Sequence, residues 1–112
     1  METIKSSEEI TRLFKQGNRF HTAHLTFIVL PQCDHGESSD GRVAFIAGKK
    51  LGNAVWRNRA KRRMRAICRD IGGPWKDLDV VFLAKKSITK AQYIDLLKAC
   101  ATIEKKLKGL QD

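Results

Sequence analysis

Residues 49–69 read KKLGNAVWRNRAKRRMRAICR, and this stretch constrains the rest of the chain more than any other. It holds nine lysines and arginines and no Asp or Glu. Wound at about 3.6 residues per turn, a helix from 53 or 54 to 69 or 71 gathers Trp56, Ala60, Met64, Ile67 and Ile71 in one stripe, with Cys68 at its edge. A stripe that narrow suits packing on a sheet. Arg57, Lys61 and Arg65 stack beside it, Asn58, Arg62 and Arg69 lie opposite it, and Arg59 and Arg63 close the other flank. Gly72, Gly73 and Pro74 stop the helix. Gly48 and Gly52 allow a tight turn around Lys49 and Lys50 at its entrance.

A solvated helix face normally mixes charges, because like charges at i,i+4 repel by a few tenths of a kcal/mol. The series Arg57, Lys61, Arg65 incurs that repulsion twice with no glutamate to offset it. A bound polyanion relieves it. Arginine outnumbers lysine on this helix, and guanidinium groups bind phosphate in a bidentate fashion and stack on bases. The pattern therefore points to nucleic acid, anchored on one side of the helix and exposed on the other.

Working outward, residues 6–9 (SSEE) start a first helix, with Ser6 and Glu9 as a capping box. Ile10, Leu13 and Phe14 follow at helical spacing, and Gly17 ends it. Residues 25–30 (LTFIVL) and 42–47 (RVAFIA) are β-branched and aromatic and read as strands. The polar stretch 32–41 between them reads as a loop, which makes the two strands a hairpin with a long connection. Residues 78–84 (LDVVFLA) are almost continuously apolar, so this strand is expected to be buried on both faces. The last helix is expected to begin near Thr89, with Gln92 completing a capping box. Tyr93, Leu96, Leu97, Cys100, Ile103 and Leu107 form its core face. The order helix, strand, strand, helix, strand, helix implies one α+β domain over residues 1–112, a two-layer α/β sandwich.

The 112 residues carry a formal charge of +10, which attracts polyanions. No apolar run approaches the length of a membrane span, and the polar, acidic N-terminus does not resemble a secretory signal. A cytoplasmic location with no membrane partner is the expectation. Cys33, Cys68 and Cys100 are odd in number and far apart, so free thiols are expected rather than disulfides or a zinc site. His21, His24 and His35 lack nearby acidic or thiol partners, so no metal site is expected. No acid–base pair suggests a catalytic residue. Single-stranded RNA needs a stacking platform beside a cationic track. Phe14, Phe27 and Phe45 are the candidates, with Phe27 and Phe45 assigned to the core. At this level the alternatives are a general RNA-binding module, a DNA-binding helix for the major groove, an amphipathic membrane helix and a nuclease acting without RNA.

The run GKKLGNAVWRNRAKRRMR resembles the signature of the bacterial ribonuclease P protein component. That signature is occupied here by Lys49, Lys50, Gly52, Asn53, Ala54, Val55, Arg57, Asn58, Arg59, Lys61, Arg62 and Arg65. Arg42 and Val43 before it, and Ala84, Lys85 and Lys86 after it, fit as well. The resemblance implies a fold shared with a ribosomal protein domain, including a left-handed β-α-β crossover. It implies the protein subunit of an endoribonuclease holoenzyme whose catalytic centre, with its magnesium, lies in an RNA. Together they remove the 5′ leader from precursor tRNA. The implied partners are the ribonuclease P RNA, joined 1:1 by a monomeric protein, and precursor tRNA. On this reading Lys49, Lys50, Arg57, Asn58, Arg59, Lys61, Arg62 and Arg65 contact RNA, while Phe14, Ile10 and Ile28 line the leader cleft. Ile10 and Ile28 stand where the family often has aromatics, Ala44 where glycine is common, and Ala66 where an acidic residue or glutamine is frequent.

Overall fold

A computed structural model of the chain describes residues 3, 4, 6–32 and 41–111. Cys33, His35 and most of the expected loop lie outside the described residues. Among the described residues, three helices, α1 (Ser7–Gln16), α2 (Ala54–Asp70) and α3 (Tyr93–Gln111), accompany four strands, β1 (Asn18–His21), β2 (Leu25–Pro31), β3 (Arg42–Ile46) and β4 (Leu78–Ala84). Short 3₁₀ helices, Lys49–Leu51 and Lys86–Thr89, follow β3 and β4. Among the described residues no helix is long and apolar enough to cross a membrane.

The strands form one sheet in the order β1-β2-β4-β3. Strand β2 runs antiparallel to both β1 and β4, and β3 runs parallel to β4. The expected hairpin between residues 25–30 and 42–47 is therefore not formed. The apolar β4 is the strand best suited to the middle of the sheet, and it separates them. Its side chains from Leu78 to Phe82 are buried on both faces. A parallel pair needs a long crossover, and α2 supplies it between β3 and β4. Strand β1 was not expected from its sequence: NRFH has no β-branched residue and is largely exposed on the sheet edge.

Alternation assigns the two faces. Leu25, Phe27 and Val29, Val43 and Ala47, and Leu78, Val80, Phe82 and Ala84 turn toward α2 and α3. There they meet Ala60, Met64, Ile67, Cys68 and Ile71 of the α2 segment, and Leu96, Cys100, Ile103 and Leu107 of α3. Phe82 sits at the centre, with Phe27 at 4.8 Å and Phe45 at 5.2 Å between ring centroids. Phe27 and Phe45 thus serve the core. The opposite face carries a smaller cluster of Ile4, Leu13, Ile28, Ala44 and Val81 under α1.

Helix α3 begins at Tyr93, later than expected. Residues 86–89 close a 3₁₀ turn instead, with Lys90 N–H donating to Ser87 O at 3.0 Å. The carbonyl of Gln92 receives the first helical bonds, from Asp95 and Leu96. Cys68 and Cys100 are free and buried, and burial pushes each thiol up to about 11.

Candidate nucleic-acid interface

The entrance of α2 is tightly specified. Asn53 Oδ1 accepts from Trp56 N–H at 3.0 Å, capping the helix. The Trp56 indole donates to the Lys86 carbonyl at 3.1 Å. Gly52 packs against the indole so closely that a Cβ there would stand 2.7 Å from the ring. The first turn is therefore pinned to the segment that follows β4.

The rest of α2 sorts its cations into two kinds. Arg63 turns inward and donates to the carbonyls of Ile88 and Ala91, which ties α2 to the turn before α3. Its neighbours on the wheel do not follow it. Asn58, Arg59, Arg62 and Arg65 are exposed, and Arg57 and Lys61 are half-buried. Arg65 lies over the Phe45 ring, 5.7 Å from its centroid, which holds its stem against the β3 edge. Val55, Asn58, Arg59 and Arg62 line a shallow groove of about 260 Å³. Val55 is 67% exposed there. Among the described residues no carboxylate pairs with Arg57, Arg59, Lys61, Arg62 or Arg65.

Lys49 and Lys50 are exposed immediately after β3. Because β3 and β4 are parallel, the residues after β4 emerge at the same end of the sheet. Exposed Lys86 therefore joins Lys49 and Lys50, which the spacing of residues along the chain could not show. Lys85 is committed elsewhere: its ammonium donates to Thr22 O at 2.6 Å. The signal available in the sequence was the Lys85-Lys86 pair itself.

On the opposite face, Phe14 and Ile10 of α1 are half-buried, with Leu30, Ile46 and Leu83 half-buried around the same cluster. Ile46 and Leu83 are paired in register, and Leu83 pairs with Thr26 and Thr26 with His21. This row lies at the end of the sheet from which the chain continues to Lys49. His21 Nδ1 is 3.1 Å from Thr26 Oγ1. Arg19 stacks over Phe14 at 5.5 Å and donates to its carbonyl at 3.1 Å. Ile28 is fully buried. It lies beneath Gly17, whose Cβ would stand 2.6 Å from the Ile28 side chain. Ile28 thus supports this surface from below rather than presenting a contact to it.

The structure brings Phe14 and Ile10 together on one face, and the α2 cations together on the other. Lys49, Lys50 and Lys86 lie at the sheet end between them. Among the described residues, no three His, Cys, Asp or Glu side chains converge as a metal ion requires.

Known proteins resemble this chain in architecture and in sequence. The family model for Ribonuclease P matches residues 1–108. A ribonuclease P protein component from Syntrophomonas wolfei is 34% identical over 104 residues, covering 92% of this chain and 84% of that one. One from Natranaerobius thermophilus is 31% identical over 111 residues, covering 97% and 92%. The solved structure of the Staphylococcus aureus ribonuclease P protein superimposes with a TM-score of 0.75 at 22% identity, covering 96% of each chain. With a family match along almost its whole length and relatives more than 30% identical along most of both chains, this chain belongs to the bacterial ribonuclease P protein components.

Proposed function

We propose that the chain assists a catalytic RNA in removing the 5′ leader of precursor tRNA, with α2 on RNA and the α1 face of the sheet on the leader. The observation that carries the reading is the division of α2. Its apolar side and Arg63 serve the fold, while exposed Arg59, Arg62 and Arg65 and half-buried Arg57 and Lys61 have no carboxylate among the described residues to neutralise them.

Arg57, Arg59, Lys61, Arg62 and Arg65 neutralise phosphates of the RNA subunit or substrate, with Asn58 orienting the contact. Lys49 and Lys50 extend that track toward the sheet. Phe14 and Ile10, over the floor that Ile28 supports, offer an apolar surface to unstacked leader bases. Two polyanions repel, so cations placed between them favour their approach and alter the local affinity for magnesium indirectly. Magnesium asks for several oxygen ligands in near-octahedral geometry. Phosphate oxygens and retained waters commonly fill most of these positions, and the ions are assigned to the RNA. The protein acts as a monomer, 1:1 with the RNA, because its cationic surface opposes self-association.

Reconstitution tests this. Purified protein is mixed with a bacterial ribonuclease P RNA and a precursor tRNA at low magnesium, and leader removal is assayed with and without protein. Protein-dependent cleavage at the mature 5′ end, lost when the RNA is omitted, is the expected outcome. Tight RNA binding with no gain in cleavage would reduce the chain to a general RNA-binding module. Cleavage without RNA would make it a nuclease in its own right.

A further inference from the structure

Helix α1 fully buries Leu13 and packs Ile10 and Phe14 partly against the same cluster. Its two ends are fixed by different means. At the C-terminal end, Gly17 lies hard against Ile28, and Arg19 holds the Phe14 carbonyl. At the N-terminal end the tether is ionic. The Glu9 carboxylate meets Arg42 Nη2 on β3.

Arg42 is itself immobilised. Its Nε donates to Asp79 Oδ1 at 3.1 Å and its Nη2 to Asp79 Oδ2 at 2.8 Å. Asp79 is only 3% exposed and also accepts from Gln32 Nε2 at 2.9 Å. A two-point fork between neighbouring strands fixes the guanidinium in direction as well as place. The carboxylates of Asp79 and Glu9 keep Arg42 protonated far above the working pH range. The sequence assigns Glu9 to a capping box with Ser6. In the structure only half of that box forms: Glu9 N–H donates to Ser6 Oγ at 3.4 Å, while the carboxylate turns to Arg42. Ile4 N–H donates to Val43 O at 2.8 Å, which holds the chain entering α1 but not the helix itself.

We infer that Glu9 and Arg42 are positioning residues, a chain from α1 through Arg42 to buried Asp79 that sets how far α1 stands from the sheet. This rests on the function proposed above, since the spacing fixed in this way is the width of the surface assigned to the leader. A partly exposed ion pair contributes little to stability. Its effect is on geometry, because α1 pivots on its packed C-terminal end and any tilt is read out at Ile10 and Phe14.

The test compares Glu9→Ala and Glu9→Gln with Glu8→Ala. Glu8 is in the same helical turn and exposed, and it makes no ion pair with the described residues. Each protein is reconstituted with the RNA subunit, and affinity is measured for precursor tRNA, for mature tRNA lacking the leader, and for the RNA subunit alone. Amide exchange is followed in the free protein. The expected result for Glu9→Ala is a loss of roughly 3- to 10-fold in precursor affinity, with mature tRNA and RNA-subunit affinities unchanged. Glu9→Gln follows in the same direction. Amides of α1 exchange faster while those of β2 and β4 do not. An unchanged precursor affinity overturns the inference. So does an equal loss toward all three RNAs, which would mean general damage to the fold, or an equal loss in Glu8→Ala, which would mean a charge effect. If the parent protein itself shows no preference for the leader, the proposed function fails, and the exchange rates still decide whether Glu9 holds α1.

Discussion

Arg62 and Arg63 are adjacent and chemically identical, and the fold gives them opposite work. Arg62 is exposed on the groove with Asn58 and Arg59. Arg63 donates to two carbonyls of the turn before α3. Arg63→Ala leaves those carbonyls without their donor and should cost about 1–3 kcal/mol of stability, read as a lower thermal midpoint. Arg62→Ala should stay within about 0.5 kcal/mol of the parent in the same experiment. It should weaken RNA binding and flatten the dependence of log K on log salt by about one, measured by salt titration of complex formation. An unchanged slope counts against phosphate contact. Both arginines were visible in the sequence as cations on a helix. Their division was not, because the carbonyls that claim Arg63 belong to residues 25 and 28 positions away. Ile28 shows the same limit: its chemistry suited the cleft, but its depth under Gly17 places it in the floor.

At the scale of elements, local signals served best where one element settles its own ends. The start and stop of α2 are written in Asn53 and in the glycines after Asp70, and the helix spans Ala54–Asp70 accordingly. Asn53→Ala removes the acceptor for Trp56 N–H and should cost about 1 kcal/mol. Because Trp56 also reaches Lys86, the loosened first turn should show as faster exchange at residues 54–57 without change in α3. Elements whose character comes from neighbours were harder to read. Strand β1 is strand only because β2 offers it a partner. The onset of α3 moved to Tyr93 because the segment before it wraps into a 3₁₀ turn, burying Ile88 and receiving Arg63. Residues 25–30 and 42–47 both form strands, but closeness in sequence points to a hairpin between them, whereas β4 lies between them in the sheet.

For the whole molecule, the two buried thiols make stability depend on alkaline pH. In the unfolded chain a thiol loses its proton near its ordinary value of 9.0, whereas Cys68 and Cys100 hold theirs to about 11. The unfolded state therefore binds fewer protons through this window, so stability is level below about pH 9 from this source and falls above it. Each thiol contributes a slope of about 1.4 kcal/mol per pH unit. Burial and the 2.6 Å bond to Asp70 push the Tyr93 phenol upward too, which adds to the loss at higher pH. Thermal midpoints should decline from pH 9 to 11, and Cys68→Ala with Cys100→Ala should flatten the first part of that decline. A flat profile in the parent would contradict the burial of these thiols. The basic helix, its anchoring stripe, the mixed α+β class and the family signature are legible in the order of residues alone, since charge, periodicity and capping are properties of neighbouring residues. Packing between distant segments settles that β4 separates β2 from β3, that Lys86 emerges at the same end of the sheet as Lys49 and Lys50, that Arg63 belongs to the fold, and that Glu9 reaches Arg42. Each of these depends on which distant segments meet, and the burial of β4 on both faces of the sheet is what makes them meet in this order.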